Sequence, residues 1–216
     1  MIWSLLPKAE QQKVDFQPEV EASALELPES IPFFVFGGRY LFFELNGQVM
    51  TADLPNVQER ILYDTYVNAL KNTPIRPQQS LFPQTVTLTA AQTDLAISLK
   101  EDFLRLGYDL EKIDNTHLAV NATPNDEEEE GDVQALIESV LSAYQTNQVI
   151  HKGDKIAGIA QSMARQKRSR QRVPASQEEV KALIQRLFES DMPTLTPSGK
   201  STLHIFGAEE LRHYFE

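Results

Sequence analysis

Positive charge gathered at one place in an acidic chain is the first feature with chemical potential. Arg165, Lys167, Arg168, Arg170 and Arg172 crowd one short stretch of a 216-residue protein whose formal charge is -11. Such a cluster can neutralise phosphate locally, yet a solvated helix end or one side of a salt-bridged interface uses the same residues. The run Asp126-Glu127-Glu128-Glu129-Glu130 reads as a solvated loop, because consecutive carboxylates on a regular element cannot converge on one metal ion. Gly199-Lys200-Ser201 has the ending of a phosphate-binding loop, but Thr194 stands where the first glycine is required and no strand-loop-helix context surrounds it. His117, His151, His204 and His213 show neither i,i+4 pairing nor a Glu-bearing motif, and take no catalytic role. With no cysteine, disulfides, thiolate catalysis and cysteine-based zinc sites are excluded.

The elements that must position these groups centre on Asp53-Leu54-Pro55-Asn56-Val57-Gln58-Glu59-Arg60-Ile61-Leu62-Tyr63-Asp64. Asp53 or Asn56 can cap a helix start, Asn56 and Glu59 have capping-box spacing, and Pro55 suits a first turn. Val57, Ile61, Leu62, Tyr66, Val67 and Leu70 then recur at helical spacing, with Glu59, Arg60 and Asp64 between them, which predicts an amphipathic helix to about Lys71. Ahead of it, residues 33–36, 39–45 and 48–52 read as strands, with Asn46-Gly47 a two-residue hairpin signal. Behind it, prolines keep residues 73–77 extended. A half-buried strand is expected at 84–88, and a helix capped by Thr89 and Gln92 should run to Leu106 and stop at Gly107. Strands at 108–113 and 116–120 flank an Asp114-Asn115 turn, and Asp132 caps a helix carrying Val133, Leu136, Ile137, Val140, Leu141 and Tyr144. A helix from Ala157 to about Gln171 ends in the basic cluster, and Ser176 with Glu179 caps another that lines up Val180, Leu183, Ile184, Leu187 and Phe188. A strand at 202–206 and a last helix at 208–215 close the chain.

Composition bounds the class. Hydrophobic residues make up 41% of the chain, enough for a real core in one large or two small domains. The net charge argues against nonspecific nucleic-acid binding by the whole chain, so any DNA contact must be local and weak or indirect. The apolar opening Met1-Ile2-Trp3-Ser4-Leu5-Leu6-Pro7 lacks the basic flank and length of a signal peptide, and no run of about 18 apolar residues could span a bilayer. A soluble, cytoplasmic protein without membrane partners is expected. Residues 1–31, rich in Glu, Gln, Pro and Ala over 8–30, read as a disordered linker.

The 53–64 stretch resembles the motif that opens the C-terminal domain of MutL mismatch-repair proteins, usually Asp-Gln-His-Ala-x-x-Glu-x-x-x-x-Glu with Glu-Arg-Ile-Leu-Tyr inside. Asp53 and Glu59-Arg60-Ile61-Leu62-Tyr63 agree with it and Asp64 stands where a Glu is usual, while Leu54, Pro55 and Asn56 replace Gln-His-Ala. The resemblance continues in order through Arg186-Leu187-Phe188, Met192-Pro193 and Pro197-Ser198-Gly199-Lys200-Ser201-Thr202, and covers about residues 32–216. In the endonuclease branch of the family the metal site takes the His and first Glu of the opening motif plus Cys and His from a later loop. The corresponding positions here hold Pro55, Glu59, Thr196 and Ser198, with Arg165 at a further Cys. Asp53 and Glu59 are thus motif remnants, and the resemblance implies a nuclease-deficient member with no catalytic residue, no metal site and no cofactor in this chain. ATP would belong to an ATPase region ahead of the linker. The chain is expected to be the far end of a longer protein, or a homologue without that front.

Gln78-Gln79-Ser80-Leu81-Phe82-Pro83 also fits Gln-x-x-Leu-x-Pro, a pattern similar to the peptide by which replication and repair proteins dock on the bacterial sliding clamp. Leu81 and Phe82 would be apolar anchors, Gln78 a directional hydrogen-bonding group and Pro83 a stiffener. The alternative is that Leu81 simply begins the next strand as a core residue. The resemblance implies an α+β fold: a split αβ dimerisation subdomain at 32–77 and 152–216, with an external αβ subdomain inserted at 78–151. It implies a homodimer that joins two chains and relays mismatch recognition by a MutS-type protein to downstream factors, including a sliding clamp. A metal-dependent nicking endonuclease and a free-standing clamp-binding adaptor are the rival readings.

Overall fold

The computed structural model describes residues 27–124, 133–150, 154–168 and 172–207, together with 212, 213 and 215. The expected acidic loop at 126–130, the Asp132 cap, His151, Arg170, most of the linker and most of the last helix lie outside these residues. Two antiparallel sheets and six helices among the described residues make an α+β fold.

The first sheet has the order β1 (Phe33–Phe36), β2 (Tyr40–Leu45), β3 (Gln48–Asp53) and β7 (Leu203–Phe206). Asn46 and Gly47, both at positive φ (53° and 74°), turn β2 into β3 as their types predict. One face of this sheet presents Leu41, Phe43, Leu45, Met50 and Ala52 to the first half of α1 (Leu54–Lys71) and to α6 (Gln177–Phe188). Leu54, Val57 and Ile61 from α1 and Val180, Ile184 and Leu187 from α6 complete this core. Ile31, which composition places in the linker, is fully buried here, its backbone N–H and C=O both bonded to the Gln177 amide at 3.0 and 2.7 Å. The apolar face of α6 is therefore used within the subunit.

The second sheet has the order β4 (Pro77–Thr87), β6 (His117–Pro124) and β5 (Asp109–Lys112). Its buried face packs against α2 (Ala90–Ser98), α3 (Lys100–Arg105) and α4 (Val133–Ile150), and α5 (Lys155–Arg168) closes the same core by packing on α1 and α4. The expected single helix to Leu106 is broken at Leu99, and Gly107 ends the pair at φ +90°. The second half of α1 enters this core through Tyr66, Ala69 and Leu70, and α5 brings Ile159, Ala160, Met163 and Ala164. One helix, α1, thus runs through both cores.

The start of α1 does not use the expected caps. Asp53 makes no capping bond, because Arg39 holds its carboxylate at 2.8 and 3.3 Å. Asn56 turns its amide to the Ser201 carbonyl at 2.8 Å, and Glu59 is drawn toward α5, so no capping box forms. Thr89/Gln92 and Ser176/Glu179 do form reciprocal capping boxes.

Candidate functional site

Glu59 and Arg60, spaced as polar residues between apolar ones, are both buried, at 0% and 4% exposure. Burial of a carboxylate requires partners, and three converge on Glu59. Arg165 Nε donates to Oε1 at 3.4 Å, Ser198 Oγ donates to the same oxygen at 3.4 Å, and Arg168 Nη1 donates to Oε2. Ser198 is joined to Thr196, whose hydroxyl lies 3.0 Å away and accepts from Lys200 N–H at 3.0 Å. Gly199, at φ +78°, closes this turn by donating to the Thr196 carbonyl at 2.9 Å. Beside it Arg60 pairs with Asp64, stacks its guanidinium 4.8 Å from the Tyr63 ring and reaches the Leu195 carbonyl at 3.5 Å. Three distant segments therefore meet at a junction: the first turns of α1, the end of α5 and the loop at 193–202.

Of the positions mapped onto the family's metal site, Glu59, Arg165, Thr196 and Ser198 are linked directly, and Pro55 sits at the start of α1, one turn before Glu59. The donor set does not fit a divalent cation. A guanidinium has no lone pair to give and carries the wrong charge, leaving one carboxylate and two neutral hydroxyls. Among the described residues, no three His, Asp or Glu side chains are grouped to hold a metal.

The basic cluster is divided by its helix. Arg165 and Arg168 turn to Glu59, whereas Lys167 is buried with its ammonium 5.8 Å from the centre of the Tyr108 ring. The Arg172 carbonyl accepts from Gln58 Nε2 at 3.4 Å. For Arg165 and Arg168 the salt-bridged alternative is what the geometry contains. The signal lay in the sequence: opposite charges at Glu59 and Arg165, two positions that the resemblance maps to one site.

The pattern 78–83 lies on β4, where its strand pairing is interrupted. Gln78 faces Thr123 and Gln79 faces Ala122, but pairing resumes only at Gln84 opposite Val120. Ser80, Leu81, Phe82 and Pro83 consequently bulge out opposite Asn121 alone. Ser80 Oγ ties the bulge by accepting from Phe82 N–H at 3.2 Å and donating to the Phe82 carbonyl at 2.7 Å. Leu81 is 92% and Phe82 84% exposed, and Gln78 and Pro83 are exposed as well. This overturns the alternative that Leu81 is core.

The face of the first sheet turned away from its helices is apolar too. Phe34 stacks on Phe42 at 4.8 Å with the rings 1° from parallel, Phe42 lies 6.4 Å from Phe206, and Phe206 meets His204 edge-on at 4.8 Å. Phe36, Tyr40 and Val49 extend the patch, and Phe34 and Phe36 are 58% and 65% exposed. Consecutive aromatics at Phe33-Phe34 and Phe42-Phe43 were the readable sign, since alternating strand positions then place aromatics on both faces.

A two-core α+β module whose described helices leave one aromatic sheet face open, beside a junction unsuited to metal, presents the kind of exposed apolar surface that interaction domains use. The chain is a member of the MutL C terminal dimerisation domain family, whose model matches residues 33–175. It is 32% identical over 188 residues to a DNA mismatch repair protein MutL of Parabacteroides distasonis, covering 87% of this chain and 30% of that protein. A MutL of Prosthecochloris aestuarii is 25% identical over 177 residues, covering 82% of this chain and 28% of the relative. For a MutL of Chlorobium phaeobacteroides the values are 25% over 197 residues, 91% and 31%. The chain thus spans less than a third of the length of these relatives.

Proposed function

We propose that this domain joins two copies of a MutL-type mismatch-repair chain through the open face of the first sheet. The observation that carries the reading is the aromatic row Phe34, Phe42 and Phe206, exposed at Phe34 and half-buried at the other two, on the side that the described helices leave uncovered. An isologous contact between two such rows would hide them from water and stack further rings. In a longer MutL-type protein, two chains held together in this way would let ATPase regions close around DNA and pass mismatch recognition by a MutS-type protein to downstream factors. Sedimentation at micromolar concentration tests this: a dimer is expected, and a monomer would remove the proposal.

The division at 77/78 and 151/152 is part of the same reading, with 78–151 the external subdomain. Its exposed Leu81-Phe82 bulge supports docking on a sliding clamp through Gln78, Leu81, Phe82 and Pro83. Two or three anchors limit such a contact to an affinity on the order of micromolar or weaker, which two copies on one dimer would raise. DNA contact through Arg165–Arg172 is the weaker proposal, because Glu59 already holds two of its guanidinia.

The domain is proposed to lack nuclease activity. With manganese and supercoiled plasmid no nicking is expected, and nicking abolished by Glu59→Ala would overturn this. Restoring His at 55 and 198 and Cys at 196 is not expected to give activity alone, since outer groups also orient a metal site.

A further inference from the structure

We infer that the Glu59 junction is an internal ionic staple that ties the end of α5 and the 193–202 loop to the first turns of α1. Hydrophobic contact joins α5 to the second half of α1, but where the end of α5 meets the first turns of α1 the facing groups are polar. Glu59 lies on the half of α1 whose Leu54, Val57 and Ile61 enter the first core. Its guanidinium partners are on α5, whose Ile159, Ala160, Met163 and Ala164 belong to the second. Ser198, the third partner, brings in the loop that leads to β7 of the first sheet. One carboxylate therefore links an element of each core and the loop between α6 and β7. Neighbouring bonds follow the same seam, from Gln58 to the Arg172 carbonyl, from Arg60 to the Leu195 carbonyl and from Asn56 to the Ser201 carbonyl.

Direction, rather than bulk attraction, is what such a cluster supplies. Guanidinium forks bind a carboxylate in fixed geometries, whereas apolar contacts tolerate sliding. The Glu59 side chain is 0% exposed, so bulk water cannot take over its bonds when a partner is lost. A bound cation could tie the same three segments, but the two arginines already fill that role and repel a second positive charge. The staple thereby keeps the junction closed to divalent ions.

The test uses the full 216-residue chain. In Glu59→Gln, amide exchange over 155–168 and 193–202 is expected to speed up about tenfold or more while β2 stays protected, because local opening at the seam precedes loss of either core. In a cycle of Glu59→Gln with Arg168→Gln, the double variant is expected to be no worse than the worse single one. Additive losses, or exchange unchanged in Glu59→Gln, overturn the staple. If Glu59→Gln does not fold, Arg168→Lys keeps the charge and removes the planar guanidinium, and faster exchange confined to the same segments is again expected. Unchanged exchange in Arg168→Lys would overturn the proposal. Millimolar manganese should leave the wild-type unfolding midpoint unmoved, and a rise that depends on Glu59 would show that a cation displaces the arginines and sink the staple.

Discussion

Leu81 stands almost fully exposed at the tip of the β4 bulge, so truncating it removes no core contact. Leu81→Ala should change unfolding free energy by no more than about 0.5 kcal/mol, against about 2–5 kcal/mol for a buried leucine. The same variant, and Gln78→Ala, should weaken binding in a titration with the cognate sliding clamp while leaving the melting curve in place. Equal binding by wild type and Gln78→Ala, or none at high micromolar concentration, would end the docking reading. Glu59 makes the opposite case at this scale, a polar residue by type that the fold buries completely. Its burial follows from partners more than a hundred positions away, which no local spacing rule can count.

Among the elements, α6 carries a pH-sensitive start. The Glu179 carboxylate accepts the Ala175 and Ser176 N–H groups at 2.7 and 3.2 Å, and these bonds lower its pKa below the ordinary 4.5. A lowered folded-state value means the cap stabilises fully above the unfolded carboxylate range and is lost as pH falls through the folded value. Protection of the first-turn amides of α6, measured against their intrinsic exchange rate at each pH, should therefore fall on acidification below about pH 4.5, and Glu179→Gln should flatten that dependence. Asp114 behaves in the same sense: Thr116 N–H and His117 bring it down to about 2, so its turn holds until strongly acid conditions. At the end of α3, Gly107 at φ +90° would place a Cβ 3.0 Å from Pro124 Cγ. Gly107→Ala should cost about 1–3 kcal/mol in a denaturant melt, since backbone strain and a tight ring contact coincide.

For the whole molecule, the open aromatic face is the proposed dimer contact. Phe34→Ser with Phe36→Ser removes exposed rings from strand β1 while Phe33 and Val35 keep the inner face filled. The variant should sediment as a monomer at concentrations where the wild type is a dimer, and should lose any dependence of its unfolding midpoint on concentration. If it stays dimeric, the contact lies elsewhere on the molecule.

Sequence alone determined the local grammar. The Asn46-Gly47 turn, the capping boxes at Thr89 and Ser176, the α1 periodicity and the order of strands and helices rest on residues within a few positions of one another. The ordered short motifs also carried the family, and with it the set of positions gathered around Glu59. Tertiary structure decided what depends on competition between distant partners. Asp53 and Asn56 abandon the cap because Arg39 and the Ser201 carbonyl bind them instead. Leu81 stands on a bulge of β4 opposite a single residue of β6, exposed rather than in the core where the alternative reading put it. The apolar stripe of α6 was legible, but whether it met its own sheet or a second chain was not, because periodicity gives the direction of a face and not its occupant.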